Sequence, residues 1–266
     1  MSIINSNYLD LTRFTEEFIN KKPFPYIILD NFLEKEFFQQ ISEEKNKINY
    51  EEGKNFSNEV EKNKWISKNT QLPDKIKKII DQLNSEKWIE NLKQLTKIES
   101  LFSTNVGNTD LANYHEMSNN GFLGSHVDHS ADPESGRPHV LNIILYLSEG
   151  WKLDWGGSTT LMNDNGKEVI KSVEYIPNRA TIFLHTPYSF HGVSEIKNNN
   201  IKRSSIYVDY YSSDFNPFKN YKFDFDNKWF KHGTCFVLPS LTDYLKPKNF
   251  YYTKTRIKYL VNKFFN

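Results

Sequence analysis

Two separated segments of this sequence carry side chains suited to holding a metal ion. Gly124-Ser125-His126-Val127-Asp128-His129 contains His-x-Asp, and Pro187-Tyr188-Ser189-Phe190-His191-Gly192-Val193 supplies a second histidine far along the chain. On a strand, residues i and i+2 project to one side, so His126 and Asp128 can share an ion. His-x-Asp alone arises easily by chance, so a distant second ligand is required, and His191 provides it. Two imidazoles and one carboxylate suit non-haem iron(II), which keeps three further positions open. Zinc accepts the same donors. His129 competes weakly with His126 because its side chain leaves the opposite strand face.

Arg203, in Lys202-Arg203-Ser204-Ser205-Ile206-Tyr207, opens a strand-like run after His191. A guanidinium aimed into a barrel keeps its charge and prefers a planar, bidentate acid partner. The distal carboxylate of 2-oxoglutarate is such a partner, and it favours iron over zinc. Position alone favours an exposed arginine at a strand start.

These side chains need a β scaffold, and the texture of the chain supplies one. Residues 1–97 mix helical and extended signals. Leu11, Phe14, Phe18 and Ile19 form a helical stripe, residues 26–29 read as a short buried strand, and 34–48 resume a helical pattern. The polar segment 49–64 reads as a loop, and 73–95 as two amphipathic helices. From residue 98 strand-like runs follow at 98–106, 111–116, 140–147, 159–162, 169–175, 180–184 and 206–211, separated by turn formers such as Asn163-Asp164-Asn165-Gly166. The expected fold is mainly β with α: a jelly-roll (double-stranded β-helix, cupin-like) core at 98–212 with N-terminal helices packed outside it. Residues 1–97 would be a support region of the same domain, and 213–266 an aromatic and basic C-terminal extension. In that extension Ile257, Leu260, Val261, Phe264 and Phe265 form an apolar helical stripe among lysines. It reads as a docked terminal helix, or else as a basic amphipathic helix making weak contact with a membrane surface or a partner. The turn-rich segment 130–137, just after the ligand pair, is expected to be a lid.

Lys+Arg of 34 against Asp+Glu of 33 gives a net charge of +1, which offers no concentrated positive charge for nucleic acid. Cys235 is the only cysteine, so an internal disulfide and a cysteine-based zinc site are excluded. No signal-like start and no apolar run long enough to span a bilayer is present, and a cytoplasmic setting is expected.

Residues 114–211 resemble the 2-oxoglutarate- and iron(II)-dependent oxygenases of the prolyl 4-hydroxylase-like group. The resemblance runs through Tyr114, His126-Val127-Asp128, Asn142-Ile143-Ile144-Leu145-Tyr146-Leu147-Ser148, Trp155-Gly156-Gly157, the segment 177–184, His191-Gly192-Val193 and Arg203-Ser204-Ser205. Residues 24–48, which begin Phe-Pro-x-x-x-x-Asp-x-Phe-Leu, are also similar to that group's N-terminal opening, while 49–97 and 213–266 match no known pattern. The resemblance implies His126, Asp128 and His191 as iron ligands and Arg203 as the partner of the far carboxylate of 2-oxoglutarate. It further implies Tyr146 as a hydrogen-bond donor to that carboxylate, Tyr114 near the chelating end, and Ser205 as an added contact. The activity implied is hydroxylation of a C–H bond with O2, coupled to decarboxylation of 2-oxoglutarate to succinate, with ascorbate as a reductant. Asp128 argues against a halogenase, since chlorinating members lack this carboxylate. The substrate is left open between a peptidyl proline, a small molecule and a sugar. A non-catalytic metal-binding jelly-roll module would lack a ligand or the arginine, and a metal hydrolase would not need Arg203 or Tyr146.

Overall fold

The structure, a computed structural model, describes residues 3–104, 113–213 and 231–265. In chain order its elements are α1 (Thr15–Asn20), β1 (Tyr26–Leu29), α2 (Lys35–Gln39), α3 (Ile41–Lys45), β2 (Lys54–Phe56), β3 (Glu61–Ile66), α4 (Asp74–Leu83), α5 (Glu86–Thr96) and β4 (Leu101–Ser103). There follow β5 (Tyr114–Val127), β6 (His139–Tyr146), β7 (Thr159–Met162), β8 (Val169–Val173), β9 (Ala180–Leu184), β10 (His191–Val193), β11 (Arg203–Ser212), β12 (Cys235–Phe236) and α6 (Phe250–Phe265).

The antiparallel sheet runs β1-β9-β6-β11-β5-β10-β7-β8. It curls into a jelly roll because β5 serves both halves. Its first residues, Tyr114 to Met117, pair with β11, and its last, Leu123 to His126, pair with β10. β5 spends one more residue than β10 between those last two pairings, a bulge that bends the strand and re-aims His126. One apolar core joins the helices to the outer sheet face, with Leu11, Phe18, Ile76, Ile80 and Leu92 packed with Ile143, Ile182 and Val208.

Local chemistry explains the helices. In α4, Ile76, Ile79, Ile80 and Leu83 are buried at helical spacing behind Pro73. α5 starts where the Ser85 hydroxyl accepts from the Trp88 amide, and ends at Lys97 in the left-handed region.

Three expectations are corrected. The segment 49–64 contains the hairpin β2–β3, whose second strand pairs with β5 from Glu61 to Ile66. Its polar side chains mask the strand because backbone pairing, not burial of alternate residues, holds it. The strand expected at 111–116 begins at Tyr114 and continues to Val127 (residues 111 and 112 lie outside the described part), through Asn120 at φ 58° and two glycines that read as turn formers. The strand expected at 98–106 is described only as β4, and residues 105 and 106 lie outside the described part.

The terminal helix docks by only part of its apolar stripe, with Leu260 packed against the cluster of Val127, Phe190 and Tyr259. Tyr259 and Thr255 are the buried residues, while Ile257 and Phe264 are 58% and 67% exposed. Tyr259 packs edge-on against Phe190 and His232, and cations of Arg256 and Lys263 lie near its ring. The side chain of Phe265 lies outside the described residues, as do residues 214–230 of the expected aromatic extension.

Candidate metal centre

β5, β10 and the turn after β5 bring His126, Asp128 and His191 together, their ligand atoms all within 4.8 Å of one another. His126 and His191 are directly paired across the two strands, with ring centroids 4.3 Å apart. The Nδ1 of His126 donates to the Gly124 carbonyl at 2.9 Å, and that of His191 to the Ser189 carbonyl at 3.0 Å. A carbonyl only accepts, so each neutral ring carries its proton on Nδ1 and presents a lone pair at Nε2. Those lone pairs face the Asp128 carboxylate, 3.3 Å from Oδ1 and 3.4 Å from Oδ2. Three acceptors converging without a donor fit a cation, and the donor set fits iron(II).

Burial, followed by the neighbouring His126, pulls His191 down to about 4, so it is neutral and ligand-ready near pH 7. Burial pushes the Asp128 carboxyl up, but the imidazoles of His191 and His126 outweigh it and hold the group well below its ordinary range. Asn142, on β6, fixes the carboxylate by donating from Nδ2 to Asp128 Oδ2 at 2.7 Å.

Arg203 is 3% exposed, contrary to the exposed position that a strand start favours. Its Nε donates to the Gly157 carbonyl at 2.7 Å, and its terminal nitrogens reach Ser205 Oγ and Thr159 Oγ1, each at 3.4 Å. Gly157 sits at φ 72°, and a Cβ there would lie 3.1 Å from Arg203 Cδ, so this glycine belongs to the seat of the arginine. The guanidinium lies over the rings of Tyr146 and Tyr175, at 5.3 and 4.9 Å. Among the described residues it has no carboxylate partner. A buried, unpaired guanidinium is costly, and an anionic ligand would relieve it.

The metal ligands and Arg203 line one cavity of about 870 Å³. That is ample for a small acid plus part of a second molecule. Ser205 lines it. Tyr146 is fully buried beneath Arg203 and donates to Thr159 Oγ1 at 2.7 Å. Tyr114 stands elsewhere: its hydroxyl donates to Glu116 Oε1 at 2.6 Å, and His115 and Met117 are the neighbours that line the cavity. Alternation along β5 separates these two faces.

Several contributors were not visible in the sequence. Phe236 of β12 pairs with His126 and packs on its ring at 5.1 Å, so the C-terminal extension walls the site. Lys54, Glu61 and Lys64 of the β2–β3 hairpin also line the cavity. The segment 130–137 is at the mouth through Pro133 and Glu134, but it is tied rather than loose. Asp132 accepts from Ser135, the Gly136 amide donates to the Asp132 carbonyl, and Ser130 bonds His232. His139 and His185 are fully buried and stacked, with centroids 4.2 Å apart. Burial pulls His139 down to about 3.

Residues 110–210 match the family described as the 2OG-Fe(II) oxygenase superfamily. No curated protein matches the sequence. Among solved structures, a prolyl hydroxylase from Trichoplax adhaerens, in complex with a hypoxia inducible factor oxygen degradation domain peptide, is similar with a TM-score of 0.56. The identity is 15%, over 77% of this chain and 91% of that one. A prolyl-4-hydroxylase from Pseudomonas putida is similar with a TM-score of 0.54 at 16% identity, over 76% of this chain and 98% of that one. The non-heme alpha ketoglutarate dependent epimerase SnoN from nogalamycin biosynthesis is similar with a TM-score of 0.53 at 12% identity, over 76% and 84%. At such identities the structural likeness speaks for the fold, and the family match covers the strands that carry the ligands and the buried arginine. Residues 110–210, which hold His126, Asp128, His191 and Arg203, are thus similar to the 2OG-Fe(II) oxygenase superfamily.

Proposed function

We propose that this chain hydroxylates a C–H bond, consuming O2 and 2-oxoglutarate and releasing succinate and CO2. The observation that carries the proposal is Arg203, buried without an acidic partner among the described residues, in the same cavity as two imidazole lone pairs and a carboxylate. Iron(II), when bound by His126, Asp128 and His191, supplies the redox chemistry that couples oxidative decarboxylation of 2-oxoglutarate to oxidation of the substrate.

The protein's own residues bind and orient. Arg203 takes the far carboxylate of 2-oxoglutarate, with the hydroxyls of Ser205 and Thr159 beside its guanidinium as further contacts. Tyr146 lies under the guanidinium with its hydroxyl on Thr159, and we assign it as a further donor to that carboxylate. Gly124 and Ser189 carbonyls hold the ring tautomers, and Asn142 holds the carboxylate. Phe236 and Phe183 pack on the imidazoles and keep water from the apolar side. Tyr114 has no direct part in this scheme, since its hydroxyl is engaged by Glu116.

A peptidyl proline is the first substrate to test, on the fold shared with two prolyl hydroxylases. The likeness to SnoN supports a small-molecule or sugar substrate as the second reading. Ascorbate would serve as the reductant and the cytoplasm as the setting. The deciding experiment is a substrate-library screen that follows succinate release, with His126→Ala as the blank. Succinate formed equally by both proteins would overturn the proposal.

For α6 we propose peripheral contact with an anionic membrane surface. Its outward side carries exposed Phe250, Ile257 and Phe264 beside exposed Lys254 and Lys258, and Leu241 and Leu245 are exposed nearby. No helix of the described residues is long and apolar enough to cross a membrane. Co-sedimentation with phosphatidylserine vesicles should be lost in Ile257→Asp/Phe264→Asp; equal binding by both proteins, or none by the unaltered chain, overturns the contact.

A further inference from the structure

Beside the iron-binding triad lies a second group of two imidazoles and one carboxylate. The ligand atoms of His129, His139 and Asp209 also fall within 4.8 Å of one another. His139 Nε2 is 3.5 Å from Asp209 Oδ1, and His129 Nε2 is 3.8 Å from Asp209 Oδ2. His129 and Asp209 line the cavity, and His139 closes the group from behind, fully buried.

The strands build this group deliberately. Along β11, Arg203, Ser205, Tyr207, Asp209 and Tyr211 share one face and all line the cavity. On β6 the register slips, with Tyr210 opposite Leu141 but Tyr211 opposite His139. That bulge turns His139 to the side that carries Asn142, the residue paired with Asp209.

The hydrogen bonding of His139 repeats that of the rings in the first triad. His139 Nδ1 donates to the His129 carbonyl at 3.0 Å, so the neutral ring presents a lone pair at Nε2. This nitrogen is buried and has no hydrogen-bond partner, and it faces a carboxylate oxygen, another acceptor. The only ion-pair partners of Asp209 among the described residues are the two imidazoles. The Tyr211 hydroxyl, 3.0 Å from His129 Nε2, adds one more oxygen at the rim. The Tyr211 hydroxyl is a donor that serves His129, which leaves the buried His139 Nε2 and the Asp209 oxygen it faces as two acceptors that a cation between them would satisfy.

We propose that His129, His139 and Asp209 form a second site for a divalent transition-metal ion, distinct from the iron site. Two nitrogens and a carboxylate select zinc, cobalt, nickel or iron(II) over magnesium or calcium, which take oxygen ligands.

The test is metal stoichiometry on the full chain, stripped with a chelator, dialysed against zinc(II) and measured by mass spectrometry. The unaltered chain should hold two ions. Asp209→Asn, which preserves shape, should hold one, and so should His129→Gln, whose side chain is partly exposed and dispensable to the core. Asp128→Ala should also fall from two to one, and Asp128→Ala/Asp209→Asn to none. A single ion in the unaltered chain, retained in both Asp209→Asn and His129→Gln, overturns the second site. Two ions retained in both variants overturn it as well, since the extra ion then sits elsewhere. A single ion lost in Asp209→Asn but kept in Asp128→Ala supports the second site while removing the first triad as a metal centre.

Discussion

Asn142 donates its amide to Asp128 at 2.7 Å, and this bond locks the one ligand of the triad that is not itself buried in a strand. Asp128 follows the last residue of β5, where the ladder no longer fixes its direction. The neighbouring strand β6 therefore aims it. Asn142→Leu should weaken metal binding about 10- to 100-fold, the usual effect of losing a residue that orients a ligand. Competitive titration with cobalt(II) against a chelator reads this directly; unchanged affinity would show that Asp128 needs no such partner.

Arg203→Ala should raise the 2-oxoglutarate KM at least ~30-fold, because removing one side of a buried charge pair costs about 2–5 kcal/mol. Iron content should stay the same. Arg203→Lys should recover only part of the loss, since an ammonium lacks the fork geometry. An unchanged KM in Arg203→Ala would take the arginine out of the co-substrate site.

Acid should destabilise the metal-free chain between pH 6.5 and 4. Burial lowers His191 and His232 to about 4 and His139 to about 3, each below the unfolded value near 6.5. In that window the unfolded chain binds protons that the folded chain refuses, so the stability present above pH 6.5 is lost as pH falls toward the folded values. Asp209 acts in the opposite sense. Burial raises it to about 7, so its contribution is present at low pH and declines between about 4 and 7. Burial lowers His115 and His185 as well, so with five histidines against one aspartate the melting temperature measured with chelator present should fall on acidification, and should fall more steeply in Asp209→Asn. A flat profile would mean that the histidines are not buried as neutral rings.

The two sides of α6 should respond differently to substitution. Tyr259→Ala removes a fully buried ring and should cost about 3 kcal/mol or more. Ile257→Asp and Phe264→Asp change exposed positions and should stay within ~0.5 kcal/mol in urea unfolding. Equal losses from both kinds would place the docked face where the apolar stripe suggests.

Much of the centre was legible in the sequence because its chemistry is local. His-x-Asp, the later His-Gly-Val and the Arg-Ser-Ser run each sit on or beside a strand, and alternation puts His126 with Asp128, and Arg203 with Ser205, on one side within each run. The helices α4 and α5 were legible for the same reason, through isoleucines and leucines at helical spacing. What escaped depends on long-range pairing. β3 carries Lys62, Asn63 and Lys64 and is held by its ladder to β5, so no apolar rhythm announces it. The bulges in β5 and β6 shift parity by one residue, which hides the aim of His126 and His139 from any pattern with a period of two. Tyr114 failed on the same parity, since it is His115, one place along, that enters the cavity. On α6 the apolar stripe was plain, but the buried position went to Tyr259, whose hydroxyl donates to the Pro187 carbonyl.

The pairing of Phe236 with His126 has a consequence for synthesis. Every ligand of the triad has left the ribosome well before β12 does, yet one flank of the first imidazole stays open to water until Cys235 and Phe236 arrive. A product halted ahead of Thr234 would thus carry all three ligands and the arginine, and still expose the centre to solvent and stray thiols.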